Sequence, residues 1–248
     1  MPRSLRQSLP ENEGLAFIGE TPWPPAQVST SEAQSLLKAR NPTGRPNADV
    51  LRQLVGCHAG QLTEQFQVDF PHHFSAQEAA LYLKPFEKLS TARTASWLNP
   101  NAKPGLRTAV ARLERYLATP FAAETPSWDW IDSHLLPDNS LLVIARDDDF
   151  THGVLQSRLF QAWWQHWFAL RPTPEIVMSF PFPWPPATLL SALTRTQEEH
   201  RLAIARAIRA GTQPSLDAAV TASYSWSDEL SHEDAIAELS ALHRRRDG

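Results

Sequence analysis

Three adjacent aspartates, Asp147, Asp148 and Asp149, stand just before a histidine, His152. Carboxylates and imidazole are the ligand types of metal-assisted phosphodiester cleavage. That chemistry needs carboxylates converging from separate elements, usually with a lysine beside them. No lysine follows Lys103 anywhere in the chain. Neighbouring residues at a strand end point to opposite faces, so three in a row do not meet at one ion. The favoured expectation is an Asp-rich turn that caps a helix starting near Gly153. A metal-dependent nuclease stays as the third of three functional alternatives. Cys57 and His58 are adjacent, and adjacent side chains diverge, which argues against a nucleophile–base dyad. His72 and His73 follow Pro71, with no carboxylate spacing to complete a metal site. The chain has no GxGxxG, no GxxxxGK[ST], no HExxH and no GxSxG, so no catalytic residue and no metal site are assigned.

The elements that must position these residues are partly legible. "STSEAQSLLKAR" and "SAQEAALYL" place Ser29 before Glu32 and Ser75 before Glu78 at capping-box spacing. "KPGLRTAVARLERYLATP" predicts a helix from Pro104 with Leu106, Val110, Leu113 and Leu117 on one face. Short branched or aromatic runs at 14–19, 65–70, 140–146 and 175–180 predict strands. "GVLQSRLFQAWWQHWFAL" predicts one helix whose tryptophans face a core or a partner. The rigid "FPFPWPP" segment, 180–186, marks a change of composition. After it come three helical patterns, the first stopped by Gly211 and the last opened by Ser231 and Asp234. The expected fold class is α+β. A mixed short-strand and helix domain spans 1–186, and an all-helical C-terminal segment spans 187–248.

Composition sets bounds. With 248 residues and 42% hydrophobic residues, a sizeable core is within reach. No apolar run approaches a membrane span, and "MPRSLRQSLPENEG" lacks a signal-peptide core. The lone Cys57 forms no intrachain disulfide, which points to a reducing, cytoplasmic setting. The net charge of −4 argues against a generally basic nucleic-acid binder. Its distribution is uneven: residues 38–115 hold 11 Lys and Arg against 6 Asp and Glu, while 116–186 hold 3 against 8. Chance clustering on a solvated surface is the alternative. Of the 23 basic residues 19 are Arg, a planar fork suited to phosphates and guanine edges; a GC-rich genome yields the same bias.

Several motifs occur in one order: "LPENEGLAFIG", "NPTGRPNADVLRQLVGC", "FSAQEAALYLKPFE", "LERYLATP", "LPDNSLLVIARDDDFTHGVLQSRL" and "FPFPWPP". From about Leu9 onward the set resembles the C-terminal half of large bacterial adenine-N6 DNA methyltransferases. These are the type IIL restriction–modification enzymes and relatives in phage-exclusion systems. In that family this region is the target-recognition domain followed by a helical segment. The family's S-adenosylmethionine loop and Asn-Pro-Pro-Tyr/Phe motif do not occur here; "NPTG" at Asn41 lacks the second proline and the aromatic residue. Two departures stand out. "FAAETPSWDW" follows "YLATP" where the family continues with basic residues, and the segment before "FPFPWPP" is short and altered.

The resemblance implies a DNA-recognition module without its own cofactor. S-adenosylmethionine is expected only in a methyltransferase partner or missing catalytic domain. Double-stranded DNA and that catalytic domain or subunit are the expected partners. Such a module holds phosphates and reads base edges. The candidate DNA-binding residues are Arg45, Asn47, Arg93, Lys103, Arg107, Arg115, Arg146, His152 and Arg158. The alternative is a protein-interaction module of a restriction or phage-defence complex, docking through its Trp/Pro-rich surface and helical tail.

Overall fold

The computed structural model describes residues 7–92, 96–168 and 173–247. The fold class is α+β, as the sequence predicts, built on two four-stranded sheets. The first sheet contains β1 (Ala16–Ile18), β5 (Arg115–Pro120), β6 (Asp129–Asp132) and β8 (Leu141–Ile144), in the antiparallel order β1-β8-β5-β6. The second contains β2 (Gln27–Val28), β3 (Leu51–His58), β4 (Gln61–Val68) and β7 (Leu136–Pro137), in the order β2-β4-β3-β7, with β3 and β7 parallel.

Strand β8 shows why the first sheet is a middle layer. All four of its residues, Leu-Leu-Val-Ile, are fully buried, and successive side chains enter opposite faces. Leu142 and Ile144 join one core with Leu117, Trp163 and Val220. Leu141 and Val143 join another with Val55, Leu106 and Tyr116. Helix α4 (Pro104–Val110) covers the second of these faces. Against the other face gather α5 (Asp149–Gln156), α6 (Arg158–Phe168), α7 (Pro174–Met178), α8 (Arg195–Ala210), α9 (Gln213–Ser223) and α10 (His232–Asp247). The second sheet packs α1 (Thr30–Lys38), α2 (Ala76–Ala80) and α3 (Leu83–Thr91) over Trp23, Val50, Val68, Phe70 and Tyr82. No helix among the described residues is long and apolar enough to cross a membrane.

The N-cap serines hold, and the reciprocal capping box closes at Ser75–Glu78, whereas the Glu32 carboxylate accepts from Lys88 instead. Ser29 and Ser75 accept from Glu32 N and Glu78 N, and Ser231 accepts from Asp234 N. Gly211 ends α8 at φ 68°, the left-handed conformation that glycine adopts without strain. Four other expectations are corrected. The helix from Pro104 ends at Val110, and 115–120 is strand β5. Tyr116 to Thr119 are buried consecutively, which demands two covered faces; Leu113 and Leu117 match helical spacing by coincidence. Residues 174–178 form helix α7 rather than a strand, because Pro174 sits at a helix start, where its missing N–H costs nothing. The helix expected from Gly153 is two helices, separated at Ser157, whose hydroxyl donates to Val154 O. The first C-terminal helix starts at Arg195, not near 187, where Thr194 and Gln197 form a capping box.

The regular elements described after Pro186 are all helical, as expected. Position 186 does not separate two cores, however. Ile204, Leu216, Val220, Ala235 and Leu239 share one cluster with Leu117, Leu142 and Phe150. Gly153 permits this contact: a Cβ there would lie 2.4 Å from Ile204 Cγ2.

Candidate nucleic-acid interface

The aspartate turn resolves into three separate tasks. Asp148 is the N-cap of α5, accepting from Thr151 N at 2.8 Å and from Thr151 Oγ1 at 3.0 Å. Its second partner is Arg146 Nε, at 2.8 Å. Asp149 turns away to accept from Arg115 (3.3 Å) and from Arg209 Nε (2.6 Å). Asp147 is exposed. The three carboxylates therefore diverge, and no group of three His, Cys, Asp or Glu among the described residues is placed to hold a metal ion.

Around this turn lie three of the predicted DNA-facing residues. The Arg115 guanidinium stacks 3.8 Å above the Trp130 ring while reaching Asp149. Arg146 is held by Asp148. His152 donates through Nε2 to Trp128 O at 3.0 Å and meets Trp130 edge-on at 5.0 Å. Burial pulls its pKa below the ordinary imidazole value, although the Trp128 carbonyl and the Asp149 charge oppose that. Its ring is thus neutral near pH 7 and offers no cation to a phosphate.

A second network spans the two sheets. Glu20 and Asp69 are almost wholly buried. Arg107 lies between them: Nε and Nη2 donate to the two Glu20 oxygens, each at 2.7 Å, and Nη1 donates to Asp69 Oδ2 at 2.7 Å. Burial alone would lower the Arg107 pKa, but hydrogen bonds to Glu20 and Asp69 outweigh it and hold the guanidinium charged. Lys103 also turns inward, its Nζ donating to Ile18 O at 3.0 Å and Gly19 O at 2.9 Å. Arg107 joins the sheets, Lys103 clasps the end of β1, and part of the positive excess of 38–115 thereby faces the interior.

Asn47 is a correction. It is fully buried. Its Nδ2 donates to Leu36 O (2.7 Å) and Ala39 O (3.2 Å), and its Oδ1 accepts from Asn41 Nδ2 (2.7 Å). It closes the C-terminal end of α1, and no part of its amide is left to read a base. Asn47→Ala is therefore expected to lower unfolding free energy by about 1–3 kcal/mol through the groups left unpaired, measured by urea denaturation; an unchanged midpoint would contradict this placement. Arg158 is half-buried at the edge of an open cleft, with Nη2 donating to Asp228 O at 2.7 Å. Arg45 is exposed, beside the Tyr82 hydroxyl that donates to Asp49. Arg93 lies outside the described residues.

Sequence reasoning missed Arg52, His134 and Arg209. Arg52 belongs to β3, which pairs with β4 in an eight-residue ladder from Leu51↔Val68 to His58↔Gln61. The hairpin turns on Ala59 (φ 51°) and Gly60 (φ 78°), the positive pair that a two-residue turn of matching twist requires. His58, Gln61 and Leu62 are exposed at its tip.

No family model and no curated protein matches the sequence. Among solved structures, the chain is similar to the Type IIL restriction-modification enzyme MmeI, determined in complex with DNA. The TM-score is 0.56 at 16% sequence identity, over 99% of this chain and 36% of that one. At that identity the likeness is one of fold. The chain spans about a third of the larger enzyme.

Proposed function

We propose that the chain is the DNA-recognition part of a bacterial adenine-N6 methyltransferase of a restriction–modification system. Methyl transfer belongs to a catalytic domain or subunit that binds S-adenosylmethionine and the flipped adenine. The observation that carries the reading is the match of nearly the whole chain to a third of a restriction–modification enzyme solved on DNA. The ordered motifs from Leu9 to Pro186 support the finer assignment. The shape of the β3–β4 ribbon suits it too, since a two-stranded ribbon fits the major groove. A cytoplasmic setting and a part in phage defence belong to the same reading.

Reconstitution tests it. The chain combined with its methyltransferase catalytic partner is expected to direct methylation to one adenine in a defined duplex site. Equal methylation of all duplexes with and without the chain would overturn the assignment. A second reading, a protein-interaction module, is favoured by one observation. Leu189 and Leu190 are adjacent and 72% and 65% exposed, an apolar edge suited to a protein partner. Double replacement by Asp would abolish complex formation under that reading and leave duplex binding by the chain unchanged under the first.

A further inference from the structure

Arg52, Arg107 and His134 line a cleft of about 440 Å3 where the two sheets meet. We propose that this cleft seats a backbone phosphodiester of duplex DNA, an inference resting on the DNA-recognition reading. Three elements build it: β3 supplies Arg52, α4 and its C-cap supply Arg107, Val110 and Ala111, and the turn from β6 to β7 supplies Ser133 and His134.

The wall holds two guanidinium groups, an imidazole and a hydroxyl, and no carboxylate among the described residues lines it. Arg107 is fixed from behind by Glu20 and Asp69, so its position needs no ordering when an anion arrives. Arg52 is the open cation. Its side chain is 46% exposed, and its Nε lies 4.0 Å from Asp69 Oδ2, beyond hydrogen-bond reach. That oxygen already accepts from Arg107. His134 Nδ1 sits 2.6 Å from Asp132 Oδ1, which orders the ring, and only as the imidazolium does it present Nε2–H to another acceptor. A phosphodiester supplies acceptor oxygens within reach of Arg52 and of a protonated His134. The apolar surface of Val110 and Leu136 suits the adjoining sugar.

Another charged cleft, about 350 Å3 beside Arg115, Trp130 and Arg209, is a poorer candidate. Asp149 lies in its wall and already bridges both arginines. An anion would have to displace that carboxylate.

The test is equilibrium binding of a labelled duplex across a salt series, by fluorescence anisotropy, for the full chain, Arg52→Gln, His134→Gln and a control, Arg195→Gln. Arg195 is 93% exposed on α8 and outside the cleft. Arg52→Gln is expected to reduce the slope of log K against log salt by about one. Losing one phosphate contact also weakens binding about eightfold at 0.1 M salt, on all duplexes alike. His134→Gln shifts both in the same direction, and Arg195→Gln leaves both unchanged. Matching melting temperatures show that the fold is retained. Wild-type slope and affinity in both cleft variants would overturn the cleft while leaving DNA recognition standing. Absence of duplex binding by the wild-type chain at low salt would overturn both. An RNA duplex bound equally well, with the same loss in Arg52→Gln, would overturn the commitment to DNA.

Discussion

Arg107→Met is expected to lower the unfolding free energy by about 3–5 kcal/mol, the cost of stripping a partner from buried charge. Glu20 and Asp69 stand 1% and 3% exposed, and Arg107 holds both through bonds of 2.7 Å. The methionine fills much of the same space, so little of the loss comes from a cavity. Lys103 cannot take over, because its ammonium is directed at the carbonyls of Ile18 and Gly19. Asp69 keeps only a long contact with Asn99, at 3.4 Å, and the distant Arg52. Glu20 adjoins β1 of the first sheet and Asp69 follows β4 of the second, so the variant should loosen the joint between the sheets. Urea denaturation followed by tryptophan fluorescence measures it. A loss below about 1 kcal/mol would show that water, not Arg107, satisfies these carboxylates.

Trp163→Ala should cost a similar amount, about 3–5 kcal/mol, for a different reason. Trp163 is fully buried. Its ring meets Trp167 and Phe180 edge-on at 5.8 and 6.1 Å, and its indole N–H donates to Ile176 O at 3.1 Å. Alanine would leave a large void at the centre of the helical layer, while Ile176 O in α7 keeps the Ser179 hydroxyl as its donor at 3.0 Å. Were the tryptophans of α6 a base-stacking platform, the same change would weaken DNA binding and leave stability intact. Denaturation and duplex binding, measured on one preparation, separate the two outcomes.

These two positions show what was legible in the sequence. Trp163 could be assigned to a core or a partner because its spacing from Leu159 and Trp167 within α6 is helical. Arg107 could not be assigned inward, because Glu20 lies 87 positions away and Asp69 lies 38 away. An arginine looks the same in sequence whether it faces a buried carboxylate or a phosphate. The same blindness applies to Lys103, Arg158 and Asn47, whose partners are carbonyls supplied by other segments. The aspartate turn was legible because capping is local: Asp148 and Thr151 are three residues apart.

Strands were harder. β8 announces itself with four consecutive apolar residues, whereas β3 mixes Arg52, Gln53, Gly56 and His58 into its run. Its partners β4 and β7 supply the pairing that the sequence does not advertise. Missing β3 meant missing Arg52, and with it the cleft. β5 was hidden by leucine spacing that suits a helix equally well, and α7 by an apolar run too short to show a period. The docking of the C-terminal helices on the first sheet depends on Gly153 and Ile204, a contact across 51 residues of sequence.

The central claim is that this fold reads DNA sequence. The most direct test is selection from a pool of random duplexes by the full chain, alone and with its methyltransferase catalytic partner, at low and physiological salt. Recovery of one enriched motif is predicted, with affinity for it exceeding that for unrelated duplexes by at least about a thousandfold. Retention of no duplex above background at low salt, in either form, or retention without any enriched motif, would contradict it.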